Sequence, residues 1–229
     1  MKQRSARGNY QGRRMLPLTL DLVRLRLALV GAGTAAVRRL ERLDAAGARA
    51  LVVYAPRPSR ALTAQASTRL VRRMPADAEL AGTQIVFIAG LAARAAAAVA
   101  ERARALGTIV HVEDAPAVSD VRMPAVLHRG DLTIAVSTGG RSPGLAAALK
   151  DALGRIVGPE WTGRLDQIAA ARRQWRAAGL NPGTVAARTG RSLAERGWLA
   201  SDATLESHWV PDTAAKEAES AVLDVETHL

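Results

Sequence analysis

The segment that most constrains the fold is residues 26–36, where a short apolar run leads into closely spaced glycines. Residues 27–30 are continuously apolar, which predicts a buried strand of a parallel sheet. Gly31, Gly33 and Ala36 then match the pattern G-x-G-x-x-[GA]. In this pattern the first glycine permits a tight turn, the second leaves room for a pyrophosphate, and the third small residue lets a helix pack close to the strand. The segment predicts a dinucleotide-binding turn; a glycine turn without a nucleotide is the alternative.

Strands and helices alternate through the first half of the chain. A predicted helix over residues 34–45 ends at Gly47, and residues 48–53 supply the next strand. Further strands are predicted at 69–72, 83–89 and 108–112, with helices at 59–66 and 91–106 between them. This alternation predicts an α/β fold of the Rossmann type, with a doubly wound parallel sheet.

The pattern changes after about residue 121. The apolar runs 123–128 and 131–137 are joined by Arg129-Gly130, which predicts an antiparallel hairpin. A glycine-rich turn follows, in which Ser142 is suited to cap a helix that begins at Pro143 and extends to about Ile156. Three more helices are predicted at 161–178, 182–189 and 193–199. The second half is therefore a small α+β region followed by a helical region.

Charge is distributed unevenly along the chain. The net charge is +11, yet residues 201–229 contain seven acidic residues and one lysine. A basic body favours a polyanionic partner, such as nucleic acid, a phosphate-bearing cofactor or a polycarboxylate substrate. Arginines on solvated helix faces are an equally good explanation. Aromatic residues make up only 3% of the chain, which counts against nucleic-acid binding by base stacking.

Several kinds of site are excluded by composition. The chain has no cysteine, so disulfides, thiolate metal sites and cysteine catalysis are ruled out. Its four histidines show no metal-ligand spacing, and no metal-binding residue is predicted. No apolar run reaches membrane-spanning length and no signal sequence follows the basic N-terminus, so we expect a cytoplasmic protein without a membrane partner.

Three sequence blocks together resemble the dehydrogenase/chelatase half of siroheme synthases, the precorrin-2 dehydrogenases. The first is L-V-G-A-G at 29–33 with A-G-A at 46–48. The second is V-E-D-A-P at 112–116, and the third is M-P-A at 123–125 followed by I-A-V-S-T-G-G-R-S-P at 134–143. The resemblance extends over about residues 15–199. Each block alone is a weak signal, but their combination and order are specific.

The resemblance implies an activity and an assembly. Members of this family oxidise precorrin-2 to sirohydrochlorin with NAD⁺, and some also act as ferrochelatases that take Fe²⁺ as a substrate. They are homodimers. Together with the composition of the two termini and the change of pattern near residues 116–121, this predicts a disordered basic arm (1–14), a Rossmann domain (15–117), a dimerisation region (118–158), a helical domain (159–200) and an acidic tail (201–229).

The resemblance also implies that Asp114 is the catalytic residue. Asp114 directly follows the predicted strand 108–112, at the sheet edge where doubly wound folds bind ligands. A carboxylate there is suited to accept a proton during dehydrogenation, and a turn cap before Pro116 is the alternative role. His111 is expected to pack within the sheet. His128, at the hairpin tip, is a candidate metal or propionate contact or an ordinary turn residue.

Residues for the cofactor follow from the first two strands. Gly31, Gly33, Thr34 and Ala35 are expected to hold the pyrophosphate at a helix N-terminus. The residues expected to flank the adenosine ribose are Pro56 and Arg57. Arg57 occupies the place of a ribose-binding acid, so it either favours NADP⁺ or points to solvent. Residues 89–93 lack the acidic segment of many relatives.

The glycine turn after the hairpin is the candidate substrate site. Its polar residues are expected to bind the carboxylates of the tetrapyrrole, and they are Ser137, Thr138, Arg141 and Ser142. A purely structural turn and helix cap is the competing interpretation. A second function remains open as well: a nucleotide- or tetrapyrrole-binding module that has lost turnover.

Overall fold

A computed structural model describes residues 15–199, and the predicted basic arm and acidic tail lie outside them. The chain forms two compact units, residues 15–127 with Ile134–Ile156, and His128–Thr133 with residues 157–199. The first unit contains a parallel sheet of order β3-β2-β1-β4-β5. Its strands are β1 (Arg26–Gly31), β2 (Ala50–Tyr54), β3 (Leu70–Val71), β4 (Ile85–Ala89) and β5 (Ile109–Val112). The Rossmann-like fold is thereby confirmed.

Both faces of this sheet are covered, which explains why its central strands are continuously apolar. Leu27 and Leu29 of β1 pack into one core, while Ala28 and Val30 pack into a second core on the other face. The helices of this unit that follow the strands are α1 (Gly33–Ala45), α2 (Arg60–Ala66), α3 (Asp77–Ala81) and α4 (Ala93–Ala105). The short helix α3 was not predicted.

The free edge of β5 is closed by the loop that follows it. The Val110 N–H donates to the Asp120 carboxylate at 3.0 Å, and the Asp120 N–H donates to the Val110 carbonyl at 2.8 Å. The Val112 N–H donates to Ser119 Oγ at 2.9 Å. Because the loop replaces a neighbouring strand in this way, the turn between Val112 and Ser119 is held at both of its ends.

The predicted hairpin is present, as β6 (Ala125–Arg129) and β7 (Leu132–Val136). Only two residues connect these strands, which requires an antiparallel pair. Helix α5 (Pro143–Ile156) follows, and the Leu145 N–H donates to Ser142 Oγ at 3.2 Å, as the predicted cap requires.

The second unit contains α6 (Trp161–Ala177) and α7 (Pro182–Glu195). The prediction of separate helices at 182–189 and 193–199 is wrong, because α7 continues through Gly190. A glycine in a helix interior costs about 1 kcal/mol relative to alanine, and packing of the helix's inner face outweighs that cost. On that face Val185 is buried. No helix among residues 15–199 is both long and apolar enough to cross a bilayer.

Candidate active site

The centre of the candidate site is the crevice where β1 and β4 end side by side. The chain leaves these two strands toward opposite faces of the sheet, which is where doubly wound folds bind ligands. The Ala32 N–H donates to the Ala89 carbonyl at 3.1 Å. A Cβ on Gly31 would overlap this carbonyl oxygen, and a Cβ on Gly90 would overlap the Ala32 carbonyl oxygen. Because neither glycine has a Cβ, the backbones at the ends of β1 and β4 can approach each other closely.

The first glycine of the motif has a different role from the one predicted, and the second makes the turn as well as leaving the predicted open space. Gly31 is the last residue of β1 and its φ is not positive, so the prediction that it makes the tight turn is wrong; it permits close strand contact instead. Gly33 makes the turn, with φ +63°, and a Cβ there would meet no protein atom within 4 Å. Ala36 is buried, and a Cβ on Gly31 would lie 3.0 Å from that of Ala36, so the predicted close helix packing is confirmed.

The N-terminus of α1 faces this open space beside Gly33. Its N-cap residue Ala32 has an extended backbone and makes no side-chain capping bond. The first N–H groups of the helix, from Gly33 through Ala35, are therefore not taken up by a cap. Unpaired N–H groups, the helix dipole and free space together fit a phosphate group. The predicted pyrophosphate residues lie together here, with Thr34 exposed at the helix start.

The predicted ribose residues follow β2 at the same edge of the sheet, and both Pro56 and Arg57 are exposed. The acid that contacts this strand end is Glu79 of α3, which the sequence analysis missed. Its carboxylate accepts two hydrogen bonds of 2.7 Å from Arg73, and these bonds, with one from the Ala76 N–H, lower its pKa to about 2. Burial, together with the charge of Glu79, raises the pKa of Tyr54. Glu79 is thus engaged with protein groups.

Asp114 lies at the tip of the turn that follows β5, and its side chain is exposed. Its backbone is left-handed, with φ +55°, a conformation that aspartate tolerates better than most residues. The carboxylate accepts no hydrogen bond from any residue between 15 and 199. The alternative role of a turn cap requires such a bond, so the geometry favours a carboxylate available to a ligand.

A buried cluster that the sequence analysis missed lies directly behind this turn. Arg39 of α1 forms an ion pair with Glu113, and its Nη2 lies 3.2 Å from Nε2 of His111. Arginine only donates hydrogen bonds, so His111 Nε2 accepts and the proton lies on Nδ1, which donates to the Val121 carbonyl at 3.1 Å. His111 packs within the sheet as predicted, and is 7% exposed.

The environment of His111 predicts how stability depends on pH. Burial lowers its pKa from 6.5, and the charge of Arg39 acts in the same direction, while Val121, Glu113 and Asp114 act in the opposite one. The unfolded chain therefore binds a proton at His111 at a higher pH than the folded chain does. The free energy of unfolding is expected to fall as the pH drops below about 6.5, by at most about 1.4 kcal/mol per pH unit.

Urea unfolding of the wild type and His111→Gln between pH 7 and 5 tests this expectation. The loss of stability on acidification is expected to be smaller in His111→Gln, since glutamine does not titrate. His128→Gln serves as the control because His128 is exposed. Parallel pH profiles for the wild type and His111→Gln would contradict the assignment.

The turn after β7 lies beside the Asp114 turn. Its glycines have positive φ angles, and a Cβ on Gly140 would lie 3.4 Å from the Cβ of Pro116. Arg122 donates to the Gly139 carbonyl. The sequence blocks D-A-P and S-x-G-G-x-S-P, separated by about 20 residues, are thus brought together at one edge of the first unit.

The hydroxyl groups of this turn are largely engaged within it. Ser137 Oγ accepts from the Gly139 N–H at 3.3 Å, and Thr138 Oγ1 bonds both the N–H and the carbonyl of Ser142. Ser142 Oγ caps α5. Arg141 is exposed. These bonds agree with the structural interpretation for the three hydroxyls. The Arg141 side chain, by contrast, makes no hydrogen bond or ion pair with another residue of the described range 15–199.

His128 is exposed, and its Nδ1 lies 3.1 Å from Thr133 Oγ1. Within the part of the chain that the structure describes, no three histidine, aspartate or glutamate side chains cluster in a way that could hold a metal ion.

Comparison with known proteins extends over both regions that form the site. A family described as "Putative NAD(P)-binding" matches residues 18–125, and the family "Sirohaem biosynthesis protein central" matches residues 129–155. The siroheme synthase of Nitrosococcus oceani is 30% identical over 213 residues, which are 86% of this chain and 45% of that protein. The siroheme synthase of Pseudomonas putida is 38% identical over 159 residues, which are 68% of this chain and 34% of that protein.

The fold has a solved counterpart as well. SirC, a precorrin-2 dehydrogenase, superposes with a TM-score of 0.63 at 22% identity over 81% of this chain and 93% of its own. At this identity the likeness shows the fold alone. The chain spans less than half the length of the curated relatives described above.

Proposed function

Because the chain belongs to the siroheme synthase family, we propose that it is a dehydrogenase that oxidises precorrin-2 to sirohydrochlorin with NAD(P)⁺. One observation supports this proposal above all. The exposed carboxylate of Asp114 and the open glycine crevice of β1 and β4 lie at the same, carboxyl edge of one parallel sheet. A cofactor in the crevice and a substrate beside Asp114 would therefore share one site.

The cofactor is proposed to bind with its pyrophosphate over Gly33 and against the N–H groups at the start of α1. When bound, NAD(P)⁺ supplies a hydride acceptor. The open space at Gly33 and the absence of a side-chain cap on α1 support this placement. Thr34 is exposed at the same helix start and is suited to donate its hydroxyl to a phosphate oxygen.

Asp114 is proposed to act as the general base. Dehydrogenation of precorrin-2 removes a hydride and a proton, and the proton needs an acceptor close to the ring. The Asp114 carboxylate is exposed and accepts no hydrogen bond within residues 15–199, so its oxygens are available to the substrate. Arg141, exposed on the neighbouring turn, is proposed to bind a substrate carboxylate, with Ser137, Thr138 and Ser142 holding that turn in shape.

A homodimer is proposed, with the region 118–158 at its interface and residues 15–117 binding the cofactor. Apolar side chains of this region are exposed in the single chain. Leu145 is 52% and Ile156 is 70% exposed on α5, and Met123 and Val126 are exposed before and within β6. A region that exposes several large apolar side chains in the single chain is suited to an interface between subunits.

Anaerobic assays with precorrin-2 test the function. Wild-type protein with NAD⁺ or NADP⁺ is expected to produce sirohydrochlorin, followed by its absorbance, and Fe²⁺ is then added to test the further proposal of ferrochelatase activity. A folded protein that binds the tetrapyrrole but turns it over with neither cofactor would contradict the enzyme and support the binding module. The apolar segment 89–93 is the observation that favours that second candidate.

The end of β2 predicts a preference for NADP⁺. No acidic residue follows Tyr54 before Arg60, whereas Arg57 is exposed there and suited to bind a 2′-phosphate. Arg57→Asp is expected to shift the ratio of kcat/KM for NADP⁺ over NAD⁺ by roughly 10- to 100-fold toward NAD⁺. Arg49→Asp is the matched control, because Arg49 is exposed and directly precedes the first residue of β2, at the end of the strand away from Arg57. An unchanged ratio in Arg57→Asp would mean that Arg57 makes no cofactor contact.

A further inference from the structure

The buried cluster behind the Asp114 turn joins two distant parts of the chain. Arg39, which is 3% exposed, projects from α1, and its Nε donates to Glu113 Oε2 at 3.0 Å. Its Nη2 donates to the same carboxylate oxygen and to His111 Nε2. His111 belongs to β5 and Glu113 follows this strand, more than 70 residues from Arg39 along the chain.

The surroundings of Arg39, apart from Glu113 and His111, are largely apolar. Its guanidinium carbon lies 5.9 Å from the centre of the Phe87 ring, which in turn meets the His111 ring edge-on. Leu40 and Leu43 on the same helix are buried. The Nη1 atom of Arg39 is buried without a hydrogen-bond partner among the described residues. Because an apolar side chain often stabilises such a position as well as an ion pair does, packing alone gives little reason for an arginine here.

The location of the cluster suggests what the arginine does. Gly33 is the first residue of α1, where the pyrophosphate is proposed to bind, and Arg39 follows it on the same helix by less than two turns. Glu113 immediately precedes Asp114, and its N–H donates to the Ile88 carbonyl at 2.9 Å. On the other side of Asp114, Ser119 Oγ donates to the Ala115 carbonyl at 3.0 Å. The Arg39–Glu113 pair thus joins this turn to the cofactor helix.

We propose that Arg39 is a positioning residue, which holds the Asp114 turn at a set distance from the cofactor-binding end of α1 through its ion pair with Glu113. The inference rests on the proposed function, since the distance matters only if the base and the hydride acceptor must meet one substrate. A displacement of about 1 Å at a reacting group lowers rates by up to about 100-fold. The ion pair would therefore affect turnover more than binding.

Steady-state kinetics of variants test this role. Arg39→Met and Glu113→Gln are expected to lower kcat by about 10- to 100-fold, while the KM for precorrin-2 and the Kd for NAD(P)⁺ change by less than about 3-fold. Arg39→Lys, which keeps the charge but not the forked geometry, is expected to recover part of kcat. Arg38→Met is the matched control, because Arg38 is the neighbouring, exposed arginine of the same helix. Should Arg39→Met fail to fold, Glu113→Gln and Arg39→Lys decide the question.

Hydrogen exchange tests the same contact without turnover. In Arg39→Met and Glu113→Gln the hydrogen-bonded amides of Ala115, Val118 and Ser119 are expected to exchange about 10-fold faster or more. Those of Val30 and Val86 are expected to be unchanged. Unchanged exchange and unchanged kcat in folded variants would overturn the proposal. If the wild-type protein shows no turnover but the variants still show the faster exchange, the proposed function is overturned. The structural role of Arg39 would then still hold.

Discussion

Replacing Asp114 by asparagine is expected to lower kcat for precorrin-2 oxidation by about 10²- to 10⁴-fold, the usual contribution of a general base. The carboxylate is exposed at the sheet edge, accepts no hydrogen bond within residues 15–199, and lies on the turn packed beside Gly139-Gly140. Asparagine adopts left-handed backbone about as readily as aspartate, so the φ of +55° is retained without strain. The substitution removes the base while leaving the turn intact.

The measurement is kcat under anaerobic conditions with saturating NAD⁺ or NADP⁺, accompanied by the thermal unfolding midpoint. Asp131→Asn is the matched control, since Asp131 is an exposed aspartate in the loop between β6 and β7. The control is expected to keep wild-type kcat, and both variants to keep the wild-type midpoint within a few degrees. A folded Asp114→Asn protein with wild-type kcat would show that Asp114 is only a turn residue.

The fold was largely predictable because its signals are local. Short apolar runs predicted the five parallel strands, four of them directly beside a glycine. The described strands and α-helices before residue 178 begin and end within two residues of the predicted bounds, α3 excepted. Helix α7 was divided in error, since a glycine at position 190 suggests a break that the sequence pattern alone does not exclude.

The site was predictable only in part, because some of its contacts are between residues distant in sequence. Nothing in the order of residues pairs Arg39 with Glu113, and the doublet Arg38-Arg39 is typical of a solvated helix face. One signal was nevertheless present. Ala36, Leu40 and Leu43 form the apolar face of α1 at helical spacing, and Arg39 falls on that face. An arginine among buried positions predicts a buried acceptor, although not which one.

The location of the turn at Gly33 instead of Gly31 has the same origin. The spacing of the motif was recognised correctly, but which glycine has a positive φ depends on where the strand ends. Gly31 remains in β1 because its contact with Ala89 on the neighbouring strand continues the sheet, so the turn begins two residues later.

The open space at Gly33 gives the second large prediction, loss of cofactor binding in Gly33→Ala without loss of the fold. A methyl group there meets no protein atom within 4 Å, so the protein loses only about 1–2 kcal/mol of stability from a non-glycine residue at φ +63°. The same methyl group would occupy the space proposed for the pyrophosphate and move it away from the N–H groups of α1. Loss of two or more charge-assisted hydrogen bonds, at about 1.5–3 kcal/mol each, corresponds to an increase in Kd of about 100-fold or more.

Gly107→Ala is the matched control for this experiment. Gly107 has φ +80°, and its added methyl group also meets nothing within 4 Å, but it lies after α4, at the amino edge of the sheet. Both variants are expected to lose similar free energies of unfolding in urea, and only Gly33→Ala to lose NAD⁺ and NADP⁺ binding in calorimetric titrations. Equal Kd values in the two variants would mean that the cofactor does not lie over Gly33. Because both substitutions place an alanine at a positive φ with no protein atom nearby, a difference in Kd between them reports contact with the cofactor.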